Sequence, residues 1–301
     1  MPRLTAIVLG SAAGGGYPQW NCRCPVCRLA WEGDPRVTPR TQASLAVSAD
    51  GESWTLLNAS PDLRAQIAAT PVLHPRSGAR GSPIGAVVLT GAEVDQVAGL
   101  LCLRERTAFA LHATAATHAG FAANPIFGVL APDLVERRVA LPGAPFGLPG
   151  AMTAELFEVP GKVPLYLEQD GADLMAVAGG NVGIEVRAGG VHLAFVPGAA
   201  KITPALRERL AATDALLIDG TLFEDAEMIR AGVSEKTGRR MGHLPISGAE
   251  GTIAALEGLG NRRILIHINN TNPVLVADSP QRREVEAAGW EVAFDGMQIV
   301  L

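Results

Sequence analysis

Apolar, strand-like segments occur in two groups along this chain, each followed by helical stretches, and that rhythm limits its folds more than any other feature. Residues 5–10, 43–47, 54–57 and 84–90 form the first group, and 174–178, 182–187, 191–196, 215–218 and 264–268 the second. These are short runs of Val, Ile, Leu and Ala bounded by Gly, Pro, Asp and Ser, as buried strands are. Helices are expected over 62–69, with Ser60 as N-cap and Pro61 at the first position, and over 94–105, 203–212, 248–259 and 280–288. A turn at Asp50-Gly51 joins two strands of the first group, and 291–301 is expected to close the chain as a hairpin turned at Asp295-Gly296. Residues 106–165 are rich in Ala, Gly and Pro and read as irregular, without a linker that would divide domains. The pattern predicts an α/β fold, a four-layer αββα sandwich of two mixed sheets flanked by helices, as one domain over 1–301. With 48% hydrophobic and 18% charged residues, the chain has the apolar material for such a core.

Several classes of function are excluded at this level. A net charge of -5 offers no polyanion-binding surface, so nucleic acid is not expected as a partner. The glycine run Gly14-Gly15-Gly16 lacks the G-x-G-x-x-G spacing, and no Gly-Lys-Ser/Thr follows it. The start, Met1-Pro2-Arg3-Leu4, lacks the basic and long apolar regions of a signal peptide, and the apolar runs are too short for a bilayer. The expectation is a cytoplasmic protein without membrane insertion; a homodimer is compatible with everything seen.

Three of the four cysteines fall within six residues, as Cys22-Arg23-Cys24-Pro25-Val26-Cys27. In a reducing compartment a C-x-C-x2-C cluster reads as a metal site, and Zn²⁺ is its natural occupant. This knuckle, at about residues 20–28, needs a fourth ligand from elsewhere: a histidine, an asparagine oxygen or a water. Cys102, in an apolar run, reads as a small buried hydrophobe.

A second set of polar residues sits at strand ends. Asp219 ends 215–218, His243 lies in a glycine-flanked loop, and His267 ends 264–268 ahead of Asn269, Asn270 and Asn272. Two histidines and a carboxylate can hold Fe(II) with open positions, and equally Zn²⁺ or Mn²⁺. Asp95 and Glu93, between the strand 84–90 and the next helix, read equally well as an acidic first helical turn. His74, His112, His118 and His192 have no such neighbours and are taken as structural or exposed.

The stretches Gly10 to Cys22, Asn58-Ala59-Ser60-Pro61-Asp62-Leu63-Arg64, Ile266-His267-Ile268-Asn269-Asn270-Thr271-Asn272-Pro273 and Phe294-Asp295-Gly296-Met297 resemble the B proteins of pyrroloquinoline quinone (PQQ) biosynthesis, over essentially the whole chain. More distantly, the chain is similar to metallo-β-lactamase phosphodiesterases with the same knuckle. Laid on the superfamily's H-x-H-x-D-H motif, the ligand positions fall on Gly91, Glu93, Asp95 and Gln96, of which only Asp95 matches. The bridging aspartate falls at about Gly198, the last histidine on His267, and the histidine completing the relatives' knuckle on Asn270.

These departures disfavour hydrolysis, because a two-metal hydrolase needs paired cations to clamp water and leaving group. The resemblance implies instead an iron- and oxygen-dependent hydroxylase acting on the tyrosine ring of a cross-linked Glu-Tyr precursor of PQQ. His267 and His243 would hold Fe(II) with Asp219 or Asp95, molecular oxygen being the second substrate. The competing implication is a carrier without catalysis that binds PQQ or its precursor for transport to the periplasm. Residual phosphodiesterase activity ranks last. Cys22, Cys24, Cys27 and Asn270 would hold the structural zinc.

Overall fold

The computed structural model describes residues 3–162 and 180–301. In chain order the elements are β1 (Thr5–Gly10), α1 (Pro25–Trp31), β2 (Ser44–Ser48), β3 (Trp54–Leu57), α2 (Leu63–Ala69), β4 (Ile84–Val88), α3 (Val94–Val97), β5 (Phe109–Ala113), α4 (Ala115–Ala122), β6 (Val135–Val139), β7 (Pro145–Leu148) and β8 (Met152–Glu158). They continue with β9 (Val182–Ala188), β10 (Val191–Val196), α5 (Pro204–Ala211), β11 (Ala215–Asp219), α6 (Glu227–Arg230), α7 (Thr252–Ala255), β12 (Arg262–Ile266), α8 (Pro280–Ala287), β13 (Glu291–Val292) and β14 (Gln298–Val300). Among the described residues they build one sheet in the order β14-β1-β2-β3-β4-β5-β6 and a second in the order β13-β12-β11-β10-β9-β8-β7. Both are mixed: β3 to β6 run parallel in the first, and β10 to β13 in the second.

Alternation along each strand fills three apolar layers. In β10, Leu193 and Phe195 face the inter-sheet core with Leu45, Leu57 and Val88, whereas Ala194 and Val196 face outward to Leu206 and Leu210 of α5. On the first sheet Leu56, Val87 and Leu111 point outward, to Leu63 of α2 and Phe121 of α4. Helix, sheet, sheet, helix is the expected αββα stack, and with both faces of each sheet covered the strands read as continuous apolar runs.

Some local expectations need correction. Residues 106–165 contain β5 to β8. The charged residues of Val135-Glu136-Arg137-Arg138-Val139 and the glycine and prolines of 145–149 hide edge strands that need little apolar sequence. Helix 94–105 breaks after Val97 into a 3₁₀ stretch, Ala98–Leu103, where Gly99 presses so closely on Ala59 and Ser60 that an added Cβ would lie 2.1 Å from the Ser60 carbonyl oxygen. Ser60 does not cap α2; its hydroxyl donates to Gln66 and the helix starts at Leu63. Helix 248–259 shrinks to Thr252–Ala255. Residues 291–301 are not a hairpin: β13 pairs with β12 and β14 with β1, so Asp295-Gly296 crosses from one sheet to the other. Cys102 is half-buried. The expected strand at 174–178 lies outside the described residues. Among the described residues no helix is long and apolar enough to cross a membrane.

Candidate metal centre

The C-terminal ends of β10, β11 and β12 lie side by side, because these strands are parallel and in register, with Val196 opposite Ile218 and Asp219 opposite Ile266. The first sheet is tied to this edge through the glycine-rich loop: Ala13 N–H donates to the Ile268 carbonyl at 2.9 Å, and Ile268 N–H to Ser11 at 3.0 Å. The end of β4 approaches the same edge and delivers Asp95, in the first turn of α3. This gathering is what parallel strand ends provide, loops converging above a shared edge.

Four side chains meet there. Nε2 of His267 lies 2.9 Å from Asp95 Oδ2, and Nδ1 of His243 lies 2.7 Å from Asp219 Oδ2. The two imidazoles stack at 5.3 Å between centroids. Asp219, His243 and His267 each offer a ligand atom within 4.8 Å of the others, and Asp95 joins them through His267. Asp95, His243 and His267 line a cavity of ≈ 300 Å³ with Thr221, Gln96, Gly198 and others, and Asp219 lies buried behind His243.

Thr221, which sequence reasoning passed over, is the node of the cluster. Its hydroxyl donates to Asp219 Oδ1 at 2.6 Å and lies 2.8 Å from His267 Nδ1 and 3.1 Å from His243 Nδ1. A threonine two residues past an aspartate carries no signal by itself; only the fold reveals that it touches both rings. His267 also holds a left-handed backbone (φ 59°), rare for a non-glycine residue and found where surrounding structure imposes it.

Burial alone would raise both aspartates, but the charge and hydrogen bond of His243 hold Asp219 below the ordinary carboxylate range, and His267 does the same for Asp95. Burial would lower His267; its hydrogen bond to Asp95 and the charges of Asp95 and Asp219 outweigh that and raise it. Asp219, His243 and His267, buried or half-buried and converging, fit one divalent cation, with Asp95 beside them on His267.

The vacated superfamily positions divide into two kinds. Gln96 turns back on its own helix: its Oε1 accepts from Glu93 N–H at 3.1 Å while the Glu93 carboxylate accepts from Gln96 N–H, a reciprocal cap. A Cβ on Gly91 would lie 2.6 Å from Gln96 Oε1, so no side chain fits there as the loop stands. Gly198 differs, for a Cβ there would meet nothing nearer than Asn181 Oδ1 at 3.7 Å and His243 Cε1 at 3.8 Å.

The knuckle is built separately. Cys24 caps α1, its sulfur accepting from Cys27 N–H, and the sulfurs of Cys22, Cys24 and Cys27 lie within 4.8 Å of one another. Asn270 closes the group, its carbonyl oxygen 3.7 Å from Cys24 Sγ and from Cys27 Sγ, and its amide nitrogen 3.2 Å from Cys27 Sγ. The crowding acts on the thiols: the hydrogen bond between Cys24 and Cys27, with burial, pushes the Cys24 thiol up, and the same bond holds Cys27 down. Three thiols this close suit a tetrahedral cation far better than they suit one another. The other histidines stand apart: His192 meets Glu185, His74 and His118 meet backbone carbonyls, and buried His112 stacks on Phe146.

Comparison with known proteins agrees with this geometry. The profile of the beta-lactamase superfamily domain matches residues 53–268. The chain is 58% identical over 299 residues to the coenzyme PQQ synthesis protein B of Methylobacterium nodulans, covering 99% of this chain and 100% of that one. It is 53% identical over 302 residues to the protein of the same name from Gluconacetobacter diazotrophicus, covering 97% and 98%. The crystal structure of Zn²⁺-bound PqqB from Methylobacterium extorquens superposes with a TM-score of 0.97 at 53% identity, covering 99% and 100%. A diphosphatase of the PhnP family shares the fold at a TM-score of 0.68 and 20% identity. A chain that keeps the superfamily's sandwich and last histidine, loses most of its other ligands, and aligns end to end with these proteins belongs to the coenzyme PQQ synthesis protein B family of the metallo-β-lactamase superfamily.

Proposed function

We propose that this protein acts in PQQ biosynthesis as an iron- and oxygen-dependent hydroxylase of the tyrosine ring in a cross-linked Glu-Tyr precursor. The observation that carries this reading is the convergence of Asp219, His243 and His267, the two histidines lining a cavity, with Asp95 on His267. Two histidines with one carboxylate suit Fe(II) and leave positions open. Asp219, His243 and His267 would hold the cation from the second sheet, with Asp95, from the side of the first, on His267. When bound, the iron supplies activation of dioxygen for oxygen insertion into the phenol ring.

The remaining work falls to the chain itself. Thr221 fixes both imidazoles, and Ala199 N–H donates to Asp219 Oδ2 at 3.0 Å, so the carboxylate cannot rotate away. Such outer contacts set ligand orientation and basicity. Cys22, Cys24, Cys27 and Asn270 hold a structural Zn²⁺ in this reading, in keeping with the Zn²⁺-bound relative. Reduced thiols that hold a metal support a cytoplasmic location in this reading.

The test is oxygen uptake by protein loaded anaerobically with Fe(II) and supplied with the precursor, wild type beside His267→Ala. Uptake with gain of one oxygen atom by the product, abolished in a folded His267→Ala protein, is the expected result. Precursor binding without metal-dependent uptake in wild type would reject the hydroxylase and leave the carrier.

A further inference from the structure

We propose that Lys162 and Lys236 form a cationic rim over the cavity that grips carboxylates of the ligand and makes the site selective for polycarboxylates. The inference rests on the reading of this cavity as the substrate site.

The chain has only three lysines, Lys162, Lys201 and Lys236, and two of them line this cavity. They come from segments far apart in sequence, one just beyond β8 and the other beyond α6. Neither ammonium group is in an ion pair with any described residue, whereas arginines such as Arg187, Arg209 and Arg262 are committed to carboxylates. Among the described residues the acidic groups lining the cavity are already engaged, Asp95 by His267 and Glu93 by the backbone of its own helix, and Asp219 behind them is held by His243 and Thr221. Among the described residues the uncommitted charge lining the cavity is therefore positive, in a protein whose net charge is -5.

Lys162 is also positioned. Gly242, with φ +85°, packs so closely on it that an added Cβ would lie 3.1 Å from Lys162 Cγ and 3.4 Å from its backbone nitrogen. The residue after Gly242 is His243, so the base of the lysine is fixed beside the metal centre. Lys236 is exposed and free to follow a ligand inward. An ammonium on a flexible stem is a compact point charge with three donors, suited to carboxylates held at varied angles. The cavity's ≈ 300 Å³ is at the small end of ligand pockets, so an anionic ligand filling it brings its carboxylates near the rim.

The experiment is calorimetric titration of metal-loaded protein with three probes: PQQ, which carries three carboxylates; its trimethyl ester, which carries none; and trimesate, a plain benzene tricarboxylate. Wild type is compared with Lys162→Gln, Lys236→Gln, the double Gln variant and the double Arg variant, each checked for folding by circular dichroism. Each single Gln change should weaken PQQ roughly five- to tenfold, typical of a lost charge-assisted contact. The double Arg variant should stay within about threefold of wild type, the ester should be unaffected, and added salt should erase most of the difference. A double Gln variant that binds PQQ as tightly as wild type overturns the rim and leaves the proposed function standing. Lysine-dependent binding of trimesate with no binding of PQQ supports the rim and rejects the PQQ reading. Binding of neither anion overturns both.

Discussion

Glu227 shows how one buried side chain links the metal-binding segments to the rest of the molecule. Its carboxylate accepts from Phe223 N–H at 2.7 Å and from the Thr271 hydroxyl at 2.6 Å, and so ties α6 to the run that carries His267 and Asn270. Burial outweighs these hydrogen bonds and raises its pKa to about 7. A carboxyl raised on folding contributes stability while protonated. That contribution is complete below the unfolded value of 4.5 and is lost as pH rises through about 7. The difference is on the order of 3 kcal/mol. Glu227→Gln keeps the shape and can serve both partners without titrating, so urea midpoints of wild type should fall relative to the variant between pH 5 and pH 8. Parallel profiles would show that Glu227 is not the group responsible. Residues of this kind are hardly legible in sequence, and neither is Thr221: each matters only through partners that the fold supplies. Asp219 and His267 were legible because a polar side chain at the end of an apolar strand is conspicuous, and His243 because it stands in a glycine-flanked loop. Asp95 stood out only through resemblance, since an acidic first helical turn explains it equally well.

At the scale of elements, the end of β4 and the end of β10 have lost their superfamily ligands in different ways. Gln96 has been absorbed into the cap of α3, while Gly198 leaves open space beside His243. The superfamily resemblance makes Gln96 look like a vacated ligand position in which histidine would tighten metal binding. The structure assigns its side chain to the helix N-terminus, a role worth about 1 kcal/mol. Gln96→His should therefore lower stability by about that amount and change Zn²⁺ affinity by less than about threefold. Gly198→Asp adds a carboxylate where there is room, and should raise the affinity by roughly tenfold or more. Chelator competition on the two variants checks the order, and a larger gain from Gln96→His would show that the cap yields to the metal. The same scale explains which strands were readable. β1, β3, β10 and β11 are covered on both faces and read as apolar runs, whereas β6 and β7 are sheet edges whose exposed residues look like loop.

For the whole molecule, the knuckle is a clasp between distant parts of the chain. Cys24 and Cys27 reach Asn270 across 246 and 243 residues of sequence, and the loop before them bridges to Ile268. The segment that supplies Asn270 also supplies His267, and the Asp295-Gly296 crossover secures the N-terminal strand, with Asp295 accepting from Ser11 and Thr41. Zinc at the knuckle would thus hold the loop 11–27 against the edge where the two sheets meet. Because metal binding free energy becomes folding free energy, Cys24→Ser should release one zinc per chain and cost several kcal/mol. For a chain of this size that lowers the melting temperature by on the order of 10 °C. The loss should reach the cavity too, since His267 is three residues from Asn270: Fe(II) affinity at the other centre should fall even though no ligand there has changed. Zinc content by atomic emission, thermal unfolding and Fe(II) titration, measured on the same preparation, decide the matter. A zinc-free Cys24→Ser protein with the wild-type melting temperature and unchanged Fe(II) binding would mean that the sandwich holds its edge without the clasp.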